Sequence, residues 1–398
     1  MNQIVPTTFE QAATPSAFAA ATSLVGEGPR LIENRTMFNK GARPGKLSTL
    51  HLEEVRDLLR RQSEAQDPVS FDRSADQLHM DFQNGRVTAQ FLTRDGLDPE
   101  VMLVHKNAYD QLSRTVLPSR FGKGLLEQAE LGAAGEKLST MSWALFSQGS
   151  DKPVKIRSVR TRDKDGTVRR MLRSQHSQTF AEYDNLRFVE DLLSNAPELA
   201  AMAVLDFKVT DTLMRLRFCT EDVGTFELNK PMPIIEAYNS EAGRRSTILT
   251  AAIWKLICTN GMQTFSEKDS FRWIHSGNIQ RISDGVASAV ENLQTKARGV
   301  VKLYNKALDV SIDDAFAFMT RERKREKLTK EQINRATAAI GHEWNAPGET
   351  LATVIDATTL IAQQFDMFEQ ANIERAAARM MQRGLAAADN GRILVHCA

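Results

Sequence analysis

The order of two hydrophobic periodicities along the 398-residue chain places the strongest constraint on its fold. Up to about residue 277, several short stretches alternate apolar and polar residues, a pattern typical of half-buried strands. From about 278 to 388, apolar residues recur at helical spacing instead. Strands followed by a run of helices favour an α+β fold over alternating βαβ units. The sequence therefore predicts antiparallel β-hairpins and a β-meander with packed helices, followed by an all-α C-terminal region.

The length of the chain predicts two domains, or one large domain with an appendage. Ala, Thr, Pro and Gly dominate its beginning without clear periodicity, which is typical of an arm rather than a domain. We predict an N-terminal arm at 1–46, an α+β domain at 47–277 and a helical domain at 278–398.

Local signals predict individual elements. The clearest is a hairpin in which Leu78–Phe82 and Val87–Phe91 alternate around Asn84-Gly85, a pair that suits a type I′ turn. A capping box at Thr329–Gln332 begins one of the C-terminal helices, and Asn345–Gly348 ends another. Further helices are predicted near 49–61, 105–116, 122–130, 185–193 and 351–365, and strands near 141–146, 204–219 and 234–265.

A basic stretch at 152–173 departs most from the average composition. Nine Lys and Arg residues face only Asp163 and Asp165 there, although the whole chain carries 51 basic and 50 acidic residues. Asp165 and Gly166 form a tight-turn signal between two runs rich in β-forming residues. The stretch therefore predicts a β-hairpin.

Neither face of this hairpin is purely apolar. Alternate side chains of a strand point to the same side, so Val154 and Ile156 share a face with Arg160, while Lys155 shares the other face with Val159. A ribbon that is basic on both sides is expected to project from the body of the protein or to line a groove. Its natural ligand is a polyanion, and phosphate backbones are the commonest. A solvated hairpin without a partner is the alternative.

The candidate nucleic-acid-binding residues belong to this hairpin and to a smaller basic turn at 244–245. The basic turn at 244–245 supports nucleic-acid binding only if the fold places it beside the hairpin. The predicted binding residues are Lys152, Lys155, Arg157, Arg160, Arg162, Arg169, Arg170, Arg173, Arg244 and Arg245.

Two further signals carry weaker arguments. Phe180 and Tyr183 follow the hairpin, and Tyr238 and Trp254 flank the second basic turn. Aromatic rings stack on the bases of single strands, although rings in apolar stretches also belong to cores. A third basic cluster at Arg321–Lys330 alternates with acidic residues, which is typical of a solvated helix end.

Sequence signals for catalysis and metal binding are missing. There is no P-loop, no GxGxxG and no GxSxG pattern. The seven histidines never fall at metal-ligand spacing, and His176 is interpreted as a polar loop residue. We therefore predict no catalytic residue, no metal and no cofactor, and favour a binding protein over an enzyme.

The cysteines and the hydropathy indicate the cellular setting. The three cysteines lie far apart without CxxC spacing, which argues for a reducing compartment. No run of about eighteen apolar residues exists, and no basic region followed by an apolar block opens the chain. We expect no membrane partner and a location in the cytoplasm, that of the host if the protein is phage-encoded.

Four stretches of the chain resemble a known family. They are Ala108–Leu112, 173–185, 238–262 and 349–365, and Leu256–Met262 is the most specific part. They are similar to the landmarks of the phage/plasmid-like domain of unknown function 932 family, over most of the chain after about residue 75. The resemblance implies a mobile-element origin and a neighbourhood of replication and recombination genes. It implies no settled activity and no catalytic residues.

The resemblance has one visible departure. The family often carries His-Asp-Gly after an Asn-Ser pair, whereas Asn239 and Ser240 are followed here by Glu241, Ala242 and Gly243. No role that depends on that histidine is therefore carried over to this chain.

Together these arguments favour a phage or plasmid protein that binds nucleic acid. We expect it to bind single-stranded DNA through backbone contacts, in annealing, recombination or replication, as a homo-oligomer. One alternative is a metal-dependent nuclease whose site is formed by scattered carboxylates. The other is a structural, protein-interaction or host-takeover factor whose basic ribbon binds an acidic protein.

Overall fold

The computed structural model describes residues 32–35, 50–83, 86–93, 96–97, 100–118, 121–148, 150–162, 166–220, 230–257, 260–340 and 349–390. The turns predicted at Asn84-Gly85 and Asn345–Gly348 lie outside these residues. So does most of the predicted arm at 1–46, of which only Ile32–Arg35 is described.

Strands and helices are numbered here in chain order over the described residues. The strands are β1 (Ile32–Arg35), β2 (Leu50–His51), β3 (Val69–Ser74), β4 (Leu78–Gln83), β5 (Arg86–Thr93), β6 (Gly96–Leu97), β7 (Met102–Val104), β8 (Pro153–Arg162), β9 (Val168–His176), β10 (Ala203–Val209), β11 (Met214–Cys219), β12 (Pro231–Asn239), β13 (Thr247–Ile257) and β14 (Asn260–Trp273). The helices are α1 (Leu52–Gln66), α2 (Lys106–Val116), α3 (Phe121–Ala129), α4 (Ala133–Ser147), α5 (Asn185–Asn195), α6 (Ile279–Leu308), α7 (Ala315–Glu326), α8 (Lys330–Ile340), α9 (Leu351–Ala362) and α10 (Met367–Asp389).

The chain divides into two compact units, and each has its own sheet. The first unit contains Ala65–Thr179, and the second contains Arg30–Glu64 and Phe180–Ala398. The predicted α+β class is confirmed, because antiparallel and mixed sheets with packed helices precede a C-terminal region of helices α6–α10. The units divide the chain at other positions than the predicted domains, since the C-terminal helices share a core with a sheet that precedes them.

The sheet of the first unit has the strand order β3-β8-β9-β7-β5-β4, with β6 paired to β5. Its strand pairs are antiparallel apart from β7 and β9, which run parallel. The hairpin predicted at 78–91 is confirmed as β4 and β5, and its alternating residues Leu78, Met80 and Phe82 enter the core. Helices α2, α3 and α4 supply the other side of this core, including Tyr109 and Trp143.

Helix α4 shows that the strand predicted at 141–146 is wrong. Met141, Leu145 and Phe146 are exposed, whereas the side that faces the core carries Trp143 and small residues. Close packing explains one of these small residues, because a Cβ at Gly135 would lie 2.0 Å from the carbonyl oxygen of Gln128. The buried positions recur every fourth residue, on one side of the helix; they are Gly135, Ser139, Trp143 and Ser147.

The sheet of the second unit has the order β1-β10-β11-β12-β13-β14, with β2 paired to β10 and every pair antiparallel. The strands predicted over 204–219 and 234–265 are thus confirmed as a meander. Both faces of the sheet are covered, since every position of β11 is buried. Leu216 and Phe218 join the main core with α1, α5 and α6, whereas Cys219 on the opposite face clusters with Ala378 of α10.

The predicted capping box at Thr329–Gln332 is confirmed at the beginning of α8. The backbone N–H of Thr329 donates to Oε1 of Gln332 at 2.8 Å, and that of Gln332 donates to Oγ1 of Thr329 at 3.1 Å. Two N–H groups at the helix start are therefore satisfied by side chains.

Candidate nucleic-acid interface

The basic stretch forms the predicted hairpin, β8 and β9, but most of it does not project from the protein. Strand β8 lies between β3 and β9, and β9 lies between β8 and β7. Strand β8 pairs with β3 over Pro153–Ser158, and β9 pairs with β7 at Met171 and Leu172, so the base of the hairpin lies in the middle of a six-strand path. The expectation of a projecting ribbon is therefore wrong for this part.

A β-bulge sets which way the cations of β9 point. Arg157 pairs with Ser174, whereas the next residue, Ser158, pairs with Leu172, so Arg173 is the extra residue. A bulge lets two residues of one strand oppose one of its neighbour and redirects the side chains. The side to which successive side chains of β9 point therefore reverses at Arg173. The regular alternation assumed from the sequence did not predict this reversal.

Arg157 and Arg173 are buried, with exposed fractions of 3% and 1%. Both side chains interact within the protein. A phosphate in solution cannot reach either guanidinium, so their predicted role in nucleic-acid binding is wrong. His176 is also buried rather than a loop residue: it ends β9, with Nε2 2.8 Å from Oγ of Ser174.

Two further arginines already contact carboxylates of the protein. Arg170 lies 3.1 Å from Oδ2 of Asp67 and 3.4 Å from Oε1 of Glu100, and its side chain is only 9% exposed. The Nε atom of Arg160 lies 3.2 Å from the same Asp67 oxygen, but its side chain remains 55% exposed. Arg170 is thus occupied by the protein, while Arg160 retains a surface for a ligand.

The far end of the hairpin stays exposed. We call its described residues, Arg160–Arg162 and Gly166–Arg169, the hairpin tip; the turn at Asp163–Asp165 lies outside the described residues. Arg160, Arg162 and Arg169 are its exposed cations. Nη1 of Arg162 donates to the carbonyl oxygen of Gly166 at 3.4 Å, which directs its guanidinium across the tip.

The other predicted cations of the hairpin lie toward its base. Lys152 is exposed and donates to the carbonyl oxygen of Thr115 at 3.0 Å. Lys155 is half-buried and interacts within the protein. Neither belongs to the hairpin tip.

The second basic turn belongs to the second unit, whereas the hairpin belongs to the first. Arg245 is half-buried, and its guanidinium carbon lies 4.3 Å from the ring centroid of Tyr238. This cation–π contact stabilises the turn within the protein. Arg244 is exposed, and its backbone N–H donates to Oγ of Ser240 at 2.9 Å.

The aromatic residues near the basic clusters do not form a platform for bases. Tyr183, Tyr238 and Trp254 are buried in the second unit. The half-buried Phe180 stacks on the ring of His275, with centroids 5.2 Å apart. The core interpretation of these rings is therefore confirmed.

A buried polar network joins two of the stretches that carry the family resemblance. Nδ2 of Asn239 donates to the carbonyl oxygen of Tyr183 at 2.9 Å and to Oδ1 of Asn185 at 3.0 Å. Thr247 continues the network, because its hydroxyl donates to Oδ1 of Asn239 and lies 3.1 Å from Nε2 of His275. These contacts hold α5, β12 and β13 together and are inaccessible to a ligand from solution.

Glu241 follows Asn239 and Ser240, and its carboxylate has a structural role. Its Oε1 atom accepts a hydrogen bond from the backbone N–H of Asn185 at 2.8 Å, at the first residue of α5. A carboxylate is favourable at a helix N-terminus, where backbone N–H groups lack partners. Glu241 therefore supplies the start of α5 with an acceptor.

A buried ion network links β10, β11 and β12 to α10, and the sequence analysis missed it. Arg217 is bound at 2.7 Å by both Glu236 and Glu374, and Arg215 lies 2.6 Å from Asp206. The two arginines lower the pKa of Asp206 against the effect of burial. Arginines at alternate positions of the otherwise apolar strand β11 were the available signal.

The third basic cluster is partly neutralised within the second unit. Its acidic members Glu322 and Glu326 have buried side chains and bind Arg383, and Glu326 also lies 2.6 Å from Arg379. Lys324 and Arg325 stay exposed at the end of α7. The cluster thus fixes α7 to α10 through its carboxylates.

Within the described residues, no group of three or more His, Cys, Asp or Glu is placed to hold a metal ion. None of the described helices is long and apolar enough to cross a membrane.

Comparison of the chain with protein-family models, with curated proteins and with solved structures gives no match.

Proposed function

We propose that this chain binds the phosphate backbone of nucleic acid, single-stranded DNA in particular, through the hairpin tip. The exposure of Arg160, Arg162 and Arg169 at one end of β8 and β9 carries the proposal. Over residues 160–169 the sequence carries four cations, Arg160, Arg162, Lys164 and Arg169, against Asp163 and Asp165, so the local net charge is positive. The family resemblance supports a phage or plasmid protein that acts in annealing, recombination or replication as a homo-oligomer in the host cytoplasm.

The structure reduces the number of phosphates that the hairpin can neutralise. Three exposed arginines predict that the logarithm of the affinity for single strands falls with the logarithm of the salt concentration with a slope near −2. Neutralisation of about six phosphates would give a slope about twice as steep. Because backbone contacts carry no sequence information, the proposal also predicts weak dependence on base sequence.

Fluorescence anisotropy with labelled single- and double-stranded oligonucleotides across a salt series tests the proposal. Replacement of Arg160, Arg162 and Arg169 with Glu should remove the salt-dependent binding. A matched variant with Lys324, Arg325 and Lys330 replaced with Glu changes the net charge equally on exposed positions of the second unit. Equal loss in both variants, or no binding by the wild type, would contradict the proposal.

A second candidate function, protein interaction, is favoured by a separate observation. Of the twelve large hydrophobic residues that the structure shows as exposed, ten belong to the first unit. An apolar patch of this kind on a protein surface marks an interaction site more often than a nucleic-acid site. The two functions are compatible, since Val168 is the one residue among these ten that belongs to the hairpin tip.

A further inference from the structure

The pairing of β8 with β9 sorts the exposed side chains of the hairpin tip onto two faces. Val168 pairs directly with Arg162, and the side chains of a directly opposed pair lie on the same face. Alternation along β8 adds Arg160 to this face, two residues before Arg162. Arg169 pairs with Thr161 and lies on the opposite face. One face of the tip therefore carries an apolar side chain beside two of the three exposed arginines.

Val168 lies on the face of the hairpin that forms part of the core further along β9. Leu172, on the same face, is fully buried in the core of the first unit. Arg170 follows toward the tip, and its guanidinium is bound by Asp67 and Glu100. Val168 comes last and is 54% exposed. This face of the hairpin thus extends past the core and ends in an apolar side chain in solvent.

The two arginines beside Val168 are positioned by contacts within the protein, and both remain exposed. Nε of Arg160 lies 3.2 Å from Oδ2 of Asp67, and Nη1 of Arg162 donates to the carbonyl oxygen of Gly166 at 3.4 Å. A strand rises about 3.3 Å per residue, so the Cα atoms of the two arginines lie about 7 Å apart. The tip therefore presents two cations along β8 and one apolar side chain on the neighbouring strand.

We infer that Val168 packs against the unstacked bases of a single strand whose phosphates bind Arg160 and Arg162. This contact deepens the proposed function and rests on it, because it adds a base contact to the phosphate contacts. A backbone that follows β8 across both arginines can direct its bases over the neighbouring strand β9, where Val168 projects. Apolar side chains of proteins are known to pack between bases in this way.

The base contact explains a preference for single strands, which phosphate contacts alone do not give. In a duplex the faces of the bases are covered by their stacked neighbours, so an apolar side chain reaches them only after unstacking. In a single strand the faces are accessible, and every base has one. Val168 therefore favours single strands without reading their sequence.

The size of the contact follows from the exposed area of one valine. Removal of about half of a valine side chain from water strengthens binding by about fivefold. Valine offers less surface than the aromatic rings on which bases usually stack. The contact is therefore expected to adjust the affinity, while the phosphates account for its salt dependence.

Single strands with and without bases test the inference. An oligonucleotide of abasic tetrahydrofuran units keeps the phosphates and lacks the bases. In fluorescence anisotropy, the full chain should bind the abasic strand about fivefold more weakly than a base-containing strand of the same length. The slope of log affinity against log salt concentration should be the same for both strands, since the same phosphates are neutralised.

Val168→Thr separates the base contact from the other effects of removing bases. Threonine keeps the branched shape and the strand preference of valine but replaces a methyl group with a hydroxyl. This variant should lose most of the preference for the base-containing strand and keep the wild-type salt slope, whereas Val168→Ile should retain the preference. Val101→Thr, the same change at an exposed valine outside the hairpin tip, should leave the preference unchanged.

Failure of the base contact and failure of the proposed function give different results. Equal binding of both strands by the wild type, with a salt slope near −2, would overturn the base contact and leave the phosphate contacts standing. A preference that survives Val168→Thr, or that falls equally in Val101→Thr, would also overturn it. A wild type that binds neither strand would contradict the proposed function and the base contact together.

Discussion

At the scale of single residues, His275 shows how the fold sets an ionisation state. Its ring stacks on Phe180, and its Nε2 atom lies 3.1 Å from the hydroxyl of Thr247. Burial lowers the pKa of His275, while the carbonyl of Ala181 and the charge of Glu241 act in the opposite direction. The folded protein therefore favours the neutral imidazole.

This predicts a pH dependence of stability. Below a pH of about 6.5 the unfolded chain takes up a proton that folded His275 resists, so the free energy of unfolding should fall as the pH falls. In His275→Gln, the slope of the free energy of unfolding against pH should decrease by up to about 1.4 kcal/mol per pH unit. Urea denaturation at a series of pH values measures it, with His79→Gln in the first unit as a control for replacing an imidazole. Identical slopes for the wild type and His275→Gln would contradict the prediction.

The residues of the hairpin show how far the sequence predicts a site. Alternation along β8 and β9 correctly indicated strands with cations on both faces. It did not predict that Arg157 and Arg173 are buried, because their burial depends on β3 and β7, which are distant in the chain, and on the bulge at Arg173. Asp67, which holds Arg170, likewise comes from a distant loop. Local charge thus located the basic surface but overestimated the number of available cations.

At the scale of elements, one buried contact connects β13, α6 and α9. Nζ of Lys255 donates to Oδ2 of Asp356 at 2.7 Å and to the hydroxyl of Tyr304 at 2.9 Å. That hydroxyl in turn lies 2.8 Å from the Asp356 carboxylate. Burial raises the pKa of Asp356, and Lys255 opposes this shift. Each partner therefore compensates for the burial of the other.

Removal of one partner should destabilise the protein far more than removal of a surface pair. Lys255→Met and Asp356→Asn are each expected to lower the free energy of unfolding by about 3–5 kcal/mol, since each leaves a buried polar group without its partner. The double variant should lose less than the sum, with a coupling of about 1–3 kcal/mol. Urea denaturation measures the free energy of unfolding of the two single variants and the double variant. As a control, Arg335→Ala breaks the exposed pair with Glu331 and should lower the free energy of unfolding by less than about 1 kcal/mol. Strict additivity of the two changes would contradict the role assigned to the contact.

Helix α4 shows why an element of this protein was mispredicted. Hydrophobic periodicity identifies secondary structure only where the apolar residues are the buried ones. In α4 the buried side holds Trp143 and otherwise small residues, whereas Leu138, Met141 and Leu145 lie outside. Elements with an ordinary buried stripe, such as α1 with Leu52, Val55 and Leu59, were predicted correctly.

At the scale of the whole molecule, the sequence predicts the fold class but not the units. The class depends on the order of strands and helices, which is visible locally. The units depend on contacts between distant segments: the core of the second unit extends from Leu52 of α1 to Leu385 of α10. A boundary at 277–278 would separate α6 from the strands that its residues Val286, Leu293 and Val300 pack with. The limits of the two units, at 64–65 and 179–180, follow from these contacts.

The units make a prediction about fragments of the chain. Residues 65–179 contain a complete sheet, three helices and a core cluster of their own, so this fragment should unfold cooperatively in urea when expressed alone. Residues 278–398 should instead show weak helicity without a cooperative transition, because their apolar faces pack against strands that the fragment lacks. Circular dichroism along a urea gradient measures both fragments. The opposite result, a cooperative helical fragment beside an unfolded 65–179, would support the domain limits predicted from the sequence over the units that the structure shows.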